Sequence, residues 1–185
     1  VCMLLAIIVT LLKAGVITMP ILWVSMLIGS AIGLYLAKIV KMIQMPQMVA
    51  LLNGFGGAAS ALVALLLLLS AEGVPDMFER CTSVLALLVG MITLTGSLVA
   101  AGKLHQILPQ KPIHLKGHGL LNNGSIVLML VILVASTIIS NPHPYLFTVL
   151  SFILSAAYGI IFTIRVGGAD MPVTISLLNA FSGVA

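Results

Sequence analysis

Long apolar runs, with no Asp, Glu, Lys, Arg or His in their central parts, are the feature that most restricts the fold of this chain. Soluble domains carry about 25% charged residues, whereas only 6% of these 185 residues are charged and 61% are hydrophobic. A bilayer core takes about 20 apolar residues per helix, and lipid permits only helices or closed barrels. The runs are too long for barrel strands, which alternate over short segments. We therefore predict an all-α fold, a polytopic bundle of transmembrane helices.

Proline, glycine and polar residues divide the sequence into about seven segments, of which the first and last are truncated by the ends of the chain. The predicted segments are 1–12, 19–40, 47–71, 80–102, 119–140, 145–165 and 173–185. The connections are short, and prolines stand where a helix can begin but not continue. We expect a single transmembrane domain over residues 1–185.

Basic residues between the segments predict an orientation. If alternate connections share a side, six of the eight basic residues lie on one side and two on the other. The six are Lys38, Lys41, Lys103, Lys111, Lys116 and Arg165, and the two are Lys13 and Arg80, which share their side with Glu72, Asp76 and Glu79. Because membrane proteins retain positive charge in the cytoplasm, the connections around Pro46, Pro112 and Pro172 are predicted to face the cytoplasm or an equivalent compartment.

The third and seventh segments contain an internal repeat. Residues 45–59 align with residues 171–185 at an offset of 126, and eight of the fifteen positions are identical. Both copies begin with Met-Pro and continue to Leu-Leu-Asn-x-Phe. Four steps of an alternating path separate the two segments, so we expect them to run parallel. Many transporters place their site at the interface of such repeats, although two leucine-rich helices can also match by chance.

Asn53 and Asn179 occupy equivalent positions of this repeat. An amide near the middle of a span is costly unless it has a partner, and two at equivalent positions suggest a polar path lined with water. The candidates for this path are Asn53, Asn179, Ser97, Ser182, Thr93 and Ser176. The alternative is helix packing, in which small residues permit close approach and Ser, Thr and Asn hydrogen-bond between helices.

The remaining motifs do not predict catalysis or a bound cofactor. The sequence has no nucleophile–base pair, carboxylate pair or phosphate loop, so we expect no catalytic residue in this chain. Residues 54–59 fit the pattern G-x-G-x-x-A, but no strand precedes them and they lie within a predicted membrane helix. His114 and His118 are four apart, but the surrounding prolines and glycines, with no Cys or carboxylate nearby, argue against a metal site. Asp170 is expected to cap the second Asn-bearing helix, to serve function, or both.

Three stretches resemble a known family. They are Met-Pro-Gln-Met-Val-Ala-Leu-Leu-Asn-Gly-Phe at 45–55, Thr-Leu-Thr-Gly-Ser at 93–97, and Gly-Gly-Ala-Asp-Met-Pro at 167–172, which runs into Ser-Leu-Leu-Asn-Ala-Phe-Ser-Gly at 176–183. They resemble the β-subunit membrane domain of the proton-translocating NAD(P) transhydrogenase. The resemblance follows the chain nearly from end to end, in the right order and with similar loop spacing.

This resemblance implies a function. Family members transfer a hydride between NADH and NADP⁺ in soluble domains, coupled to proton translocation through the membrane domain. The chain would be that membrane part, in a bacterial inner membrane or a mitochondrial inner membrane, and would not itself catalyse hydride transfer or bind NAD(H) or NADP(H). An NADP-binding domain would follow it, and an α subunit would contribute membrane helices and an NAD-binding domain. The enzyme is expected to be a dimer of αβ units without nucleic acid.

The resemblance also implies roles for individual residues. Asn53 and Asn179 match the family's proton-path positions, with Ser97 and Ser182 as polar neighbours, and Asp170 matches an acidic residue near the interface with the nucleotide domains. Some relatives have His at the position of Asn53. Because an amide cannot take up and release a proton near neutral pH as imidazole can, we expect another group to carry the proton, namely a His in a helix of the partner α subunit.

A stand-alone secondary transporter or channel, with a polar path at the repeat interface, is the alternative function. The sequence beyond Ala185 distinguishes the two. Further helices and then a domain with a Gly-rich βαβ pattern would support the transhydrogenase, whereas a stop after the helices would support the transporter.

Overall fold

A computed structural model describes residues 2–13, 18–69, 76–113, 117–138 and 144–184 of the chain. The described residues form seven α-helices: α1 (Cys2–Lys13), α2 (Pro20–Ile39), α3 (Met45–Leu69), α4 (Met77–Leu104), α5 (His118–Ile138), α6 (Pro144–Ile164) and α7 (Met171–Val184). No strand occurs among these residues. The all-α fold predicted from the apolar runs is confirmed.

The chain divides into two compact units, Val1–Met42 and Ile43–Ala185. The first unit contains α1 and α2. Proline occupies the first position of α2, where its missing N–H costs no hydrogen bond, and none of the side chains of α2 is buried. The second unit contains α3 to α7 and carries every candidate site residue.

Among the described residues, five helical stretches are long and apolar enough to cross a bilayer: Pro20–Ile39, Met42–Leu69, Met77–Leu104, His118–Ile138 and Tyr145–Ile164. Each is at least as long as the roughly 20 residues that a bilayer core requires. The protein is an integral, multi-pass membrane protein.

Helix α4 lies at the centre of the second unit. In its most apolar stretch 56% of the residues are buried, against 28% or less in the other spans of this unit. It packs against α3, α5, α6 and α7. Two apolar clusters form around it, one where it meets α3 and α5, and one at its carboxyl end, where Ala100 and Ala101 meet Met171 and Ile175 of α7.

Glycines set the close approach of α3 to α4. A Cβ on Gly57 would lie 2.7 Å from the carbonyl oxygen of Gly90, and a Cβ on Gly90 would lie 2.6 Å from that of Gly57. The two main chains therefore touch with no room for a side chain, as in small-residue contacts between membrane helices.

The internal repeat has a structural counterpart. A short 3-10 turn precedes α3 at Met42–Gln44, and an equivalent turn precedes α7 at Gly168–Asp170. The α-helix then begins at Met45 in one copy and at Met171 in the other, with Pro in its second position. The same local sequence therefore starts both helices in the same way.

Both ends of α4 differ from the sequence prediction of 80–102. The helix begins earlier because Asp76 and Glu79 form a capping box at its first turn. It ends later, at Leu104, and includes Lys103, which the sequence prediction assigns to the connection after this segment. Lys103 has no exposed surface, because its ammonium group reaches the main chain at the end of α6.

Three residues used in the sequence argument, Glu72, His114 and Lys116, lie outside the described residues. His118 lies in the first turn of α5 and is buried.

Candidate functional site

Two hydroxyl side chains of α4, Thr93 and Ser97, form the inner part of the candidate site. They lie one helical turn apart on the same face, as residues four positions apart do. Neither has any exposed surface. A buried hydroxyl in a membrane helix is stable only if it has a hydrogen-bond partner, and each of the two finds one on a different neighbouring helix.

Ser97 connects α4 to α3. The Nδ2 of Asn53 donates a hydrogen bond of 3.1 Å to the Ser97 hydroxyl oxygen. The two helices can approach this closely because Gly54, the next residue of α3, has no side chain. A Cβ at Gly54 would lie 3.2 Å from the Cβ of Ser97. The side-chain amide of Asn53 is thus held by α4.

Thr93 connects α4 to α7. The hydroxyl of Ser182 donates to Thr93 Oγ1 at 3.1 Å, and Thr93 Oγ1 lies 3.5 Å from the carbonyl oxygen of Leu178. Gly96 faces the same helix, since a Cβ there would lie 3.0 Å from Leu178. Helix α4 therefore joins the two copies of the repeat through adjacent turns.

A groove of about 690 Å³ lies between α3 and α7. Its walls come from equivalent parts of the repeat: Val49, Leu52, Asn53, Gly56 and Ser60 of α3, and Pro172, Ile175, Ser176, Asn179 and Ser182 of α7. Asn53 and Ser182 are half-buried, whereas Asn179 and Ser176 are exposed. Amides and hydroxyls from both helices thus stand among apolar side chains in its lining, and the hydroxyls of Thr93 and Ser97 lie behind it.

All six polar candidates therefore meet at one place. Four of them line the groove, and Thr93 and Ser97 lie behind it as hydrogen-bond partners. Ser60, which helical spacing places on the face of Asn53, also lines the groove, although its hydroxyl donates only to Gly56 of its own helix. Asn53 and Ser182 do both: each bonds a hydroxyl of α4 and also lines the groove.

Asp170 lies apart from this groove, in the exposed 3-10 turn before α7. Its hydrogen bonds within the described chain are made by its main chain: its N–H donates to Gly167 and its carbonyl oxygen accepts from Thr174. The residue is thus exposed at the beginning of α7.

Gln47 connects α3 to the end of α4, which was not predicted from the sequence. Its Nε2 donates to the Leu104 carbonyl oxygen at 3.1 Å, and its Oε1 lies 3.1 Å from His105 Nδ1. The side chain thus ties the first turn of α3 to the end of α4. In the sequence, the signal for this connection is a long polar residue directly after the Met-Pro pair.

The groove can donate and accept hydrogen bonds, but it lacks a group for holding a proton. Its polar lining residues in the described chain are amides and hydroxyls, none of which titrates near neutral pH. The described residues also contain no cluster of His, Cys, Asp and Glu that could hold a metal ion.

Comparison with known families shows which family the sequence matches. Residues 1–185 match the family described as NAD(P) transhydrogenase beta subunit. The chain belongs to the NAD(P) transhydrogenase beta-subunit family. This membership does not favour a stand-alone transporter or channel.

An individual relative agrees with this assignment. NAD(P) transhydrogenase subunit beta of Rhodospirillum rubrum is 36% identical over 192 aligned residues, which cover 99% of this chain. A second sequence of that name, from a defined strain of the same species, gives the same values. The alignment covers 40% of each relative, so the chain spans about two fifths of the length of these transhydrogenase beta subunits.

Proposed function

We propose that this chain is the proton-translocating membrane part of a complete NAD(P) transhydrogenase. The observation that carries the proposal is the polar groove between α3 and α7, within a chain that matches the beta-subunit family throughout. In the complete enzyme, hydride passes between NADH and NADP⁺ in soluble domains, and this bundle couples that transfer to proton movement.

Asn53 and Asn179 have the central roles in this proposal. Each amide can donate and accept hydrogen bonds to water at the same time, so together they can order a chain of water molecules along the groove. Ser97 holds the amide of Asn53 from behind. Thr93 holds Ser182 in the same way on the α7 side, and Ser176 extends the polar wall.

A histidine from a partner subunit completes the path. The polar groups that line the groove are amides and hydroxyls, which do not titrate near neutral pH, whereas imidazole does. We therefore place the proton carrier on a membrane helix of the α subunit, docked at the groove. If pumping persisted after every His had been removed from those helices, this assignment would be wrong.

Asp170 acts outside the membrane in the same scheme. Its carboxylate is exposed at the start of α7, the helix that carries Asn179. The NADP-binding domain of the same subunit and the NAD-binding domain of the α subunit would meet the bundle near this residue. A change of contact there would act on the first turn of α7. The assembly is proposed to be a dimer of αβ units.

Reconstitution of the complete complex in sealed vesicles tests the function. NADPH and an oxidised NAD analogue are added on the side of the nucleotide domains, and reduction of the analogue and the internal pH are recorded together. We expect reduction to change the internal pH, and a proton-conducting agent to abolish that change. Reduction with no pH change in tight vesicles would overturn the proposal.

A further inference from the structure

Lys103 is a buried cation that the groove does not use. It lies in the last turn of α4 and has no exposed surface. Its Nζ donates to the carbonyl oxygen of Val166 at 2.7 Å and also to that of Ile164. A buried charge is costly unless it is well satisfied, and ionisable residues within membrane segments usually have functional roles.

Both acceptors lie where α6 ends. The last carbonyl groups of a helix have no partner within it, and the helix dipole places partial negative charge there. The ammonium group of Lys103 meets both requirements, because it satisfies two carbonyls that lie at and just beyond the end of α6. Its position thus fixes the end of α6 against α4.

The same contact fixes the linker between α6 and α7, residues 165–170. Lys103 binds this linker at Val166. Two residues further, the N–H of Gly168 donates to the Gln110 carbonyl oxygen at 2.8 Å. The linker is therefore attached to α4 and to the loop after α4, with Asp170 exposed beyond the second attachment.

Helix α7 begins directly after these attachments. Met171, its first residue, is fully buried and packs in the cluster that contains Ala100 and Ala101 of α4. Further along, Ser182 of α7 bonds Thr93 of α4. Asp170 lies between these attachments and Met171, so a displacement of Asp170 that the attached part of the linker cannot follow acts on the first turn of α7.

We propose that Lys103 is a positioning residue for coupling, which locks the α6–α7 linker onto α4 so that movement at Asp170 is transmitted to the groove face of α7. The inference rests on the proposed proton-translocating function. Loss of the lysine's hydrogen bonds would loosen the linker at Val166 and leave only its attachment at Gly168, and hydride transfer would then continue with less proton movement per turnover.

The test compares Lys103→Met with Lys111→Met in the full-length αβ complex. Methionine keeps most of the apolar volume of lysine and removes the donor. Lys111 is an exposed lysine of the loop that follows α4, so its substitution controls for loss of one positive charge at this end of the bundle. Two quantities are measured: hydrogen exchange of the amides in 165–171, and protons moved per hydride transferred in vesicles.

We expect Lys103→Met to raise amide exchange in the linker about tenfold or more, as loss of a hydrogen bond to a charged group would, and to lower the proton-to-hydride ratio. Lys111→Met should leave both at wild-type values. Lys103→Arg, which keeps the charge and the donors, should restore part of the ratio. If Lys103→Met does not assemble, Lys103→Gln replaces it; both effects are then expected in the same direction but smaller, because the glutamine amide can still donate while the charge and part of the reach are lost.

Two failures are distinguishable. If the wild-type complex moves no protons, the proposed function fails regardless of Lys103. If the wild type pumps and Lys103→Met keeps the same ratio and the same linker exchange, the positioning role is wrong. Faster amide exchange in the linker with an unchanged proton-to-hydride ratio would also overturn the proposal, because Lys103 would then have a structural role only.

Discussion

The pair of Asn53 and Ser97 shows what a polar residue does inside this bundle. Its bond joins α3 to α4, while Asn53 also lines the groove. Sequence reasoning could select the asparagine, because an unpartnered amide in hydrocarbon is costly. It could not say which hydroxyl would be the partner, because that depends on the rotation of α4 about its axis.

Ser97→Ala should lower the free energy of unfolding by about 0.6 kcal/mol, the average measured for hydrogen bonds between membrane helices, and by no more than about 1.7 kcal/mol. Ser60→Ala is the matched control, because the Ser60 hydroxyl bonds only its own helix. Unfolding of the purified protein in mixed detergent micelles gives both values. Equal effects of the two substitutions would show that the bond from Asn53 does not stabilise the helix pair.

Lys103 shows where residue-scale reasoning from sequence failed. Counting basic residues between apolar segments treats each lysine as a solvated charge. At this position the lysine satisfies the open end of a neighbouring helix. The sequence gives no sign of this, because the acceptors are main-chain carbonyls that any residue supplies.

At the scale of helices, the residues at which helices begin could be predicted from the sequence, whereas the contacts between helices could not. Proline in the first positions of α2, α3, α6 and α7 marked where each helix starts, because proline needs no N–H partner there. The contact of α3 with α4 depends on glycines that align in space. Glycines occur throughout the chain, so their presence alone could not select the pair that touches.

The Gly57–Gly90 contact predicts a sharp difference between neighbouring glycines. Gly57→Ala should destabilise the protein by about 1 to 3 kcal/mol, as overpacking does, since its Cβ would lie 2.7 Å from a carbonyl oxygen. Gly56→Ala should have little effect, because nothing described lies within 4 Å of a Cβ there. Unfolding in micelles measures both. A Gly57→Ala protein as stable as Gly56→Ala would contradict the close approach.

The capping box predicts an effect at the other end of α4. Asp76 accepts a hydrogen bond of 2.8 Å from the N–H of Met77, and Glu79 bonds back to the main chain of Asp76. Asp76→Ala should cost about 1 kcal/mol, whereas Asp76→Asn, which keeps the acceptor, should cost much less. Hydrogen exchange in the first turn of α4 provides the measurement. Equal exchange in both variants would show that the cap is unimportant.

At the scale of the whole molecule, composition predicted the class of protein and the family resemblance predicted its function. Apolar runs predicted a membrane bundle, because there is too little polar surface to cover a soluble fold. The matching Met-Pro and Asn-x-Phe stretches predicted related helices, and the groove forms between them. The depth of each site residue could not be predicted, because it follows from how α4 packs among its neighbours.

The charge bias predicts the orientation of the second unit. In a variant without native cysteines, Phe78→Cys and Lys111→Cys place one exposed thiol near each end of α4. A reagent that cannot cross membranes, added to intact cells, should label Phe78→Cys only. Lys111→Cys should react only after the membrane is permeabilised. Labelling of both sites in intact cells would contradict the predicted topology.

The account depends most on the groove between the two repeat copies, and Asn179 is its most direct test. In vesicles that contain the complete complex, hydride transfer and internal pH are recorded together for the wild type, Asn179→Leu and Asn123→Leu. Asn123 is an exposed asparagine of α5 outside the groove, so it controls for replacing an amide in a membrane helix.

We predict that Asn179→Leu abolishes or strongly reduces the pH change, while the separated soluble domains exchange hydride at the wild-type rate and Asn123→Leu pumps normally. An unchanged number of protons per hydride in Asn179→Leu would remove Asn179, and with it the groove, from the path of the proton.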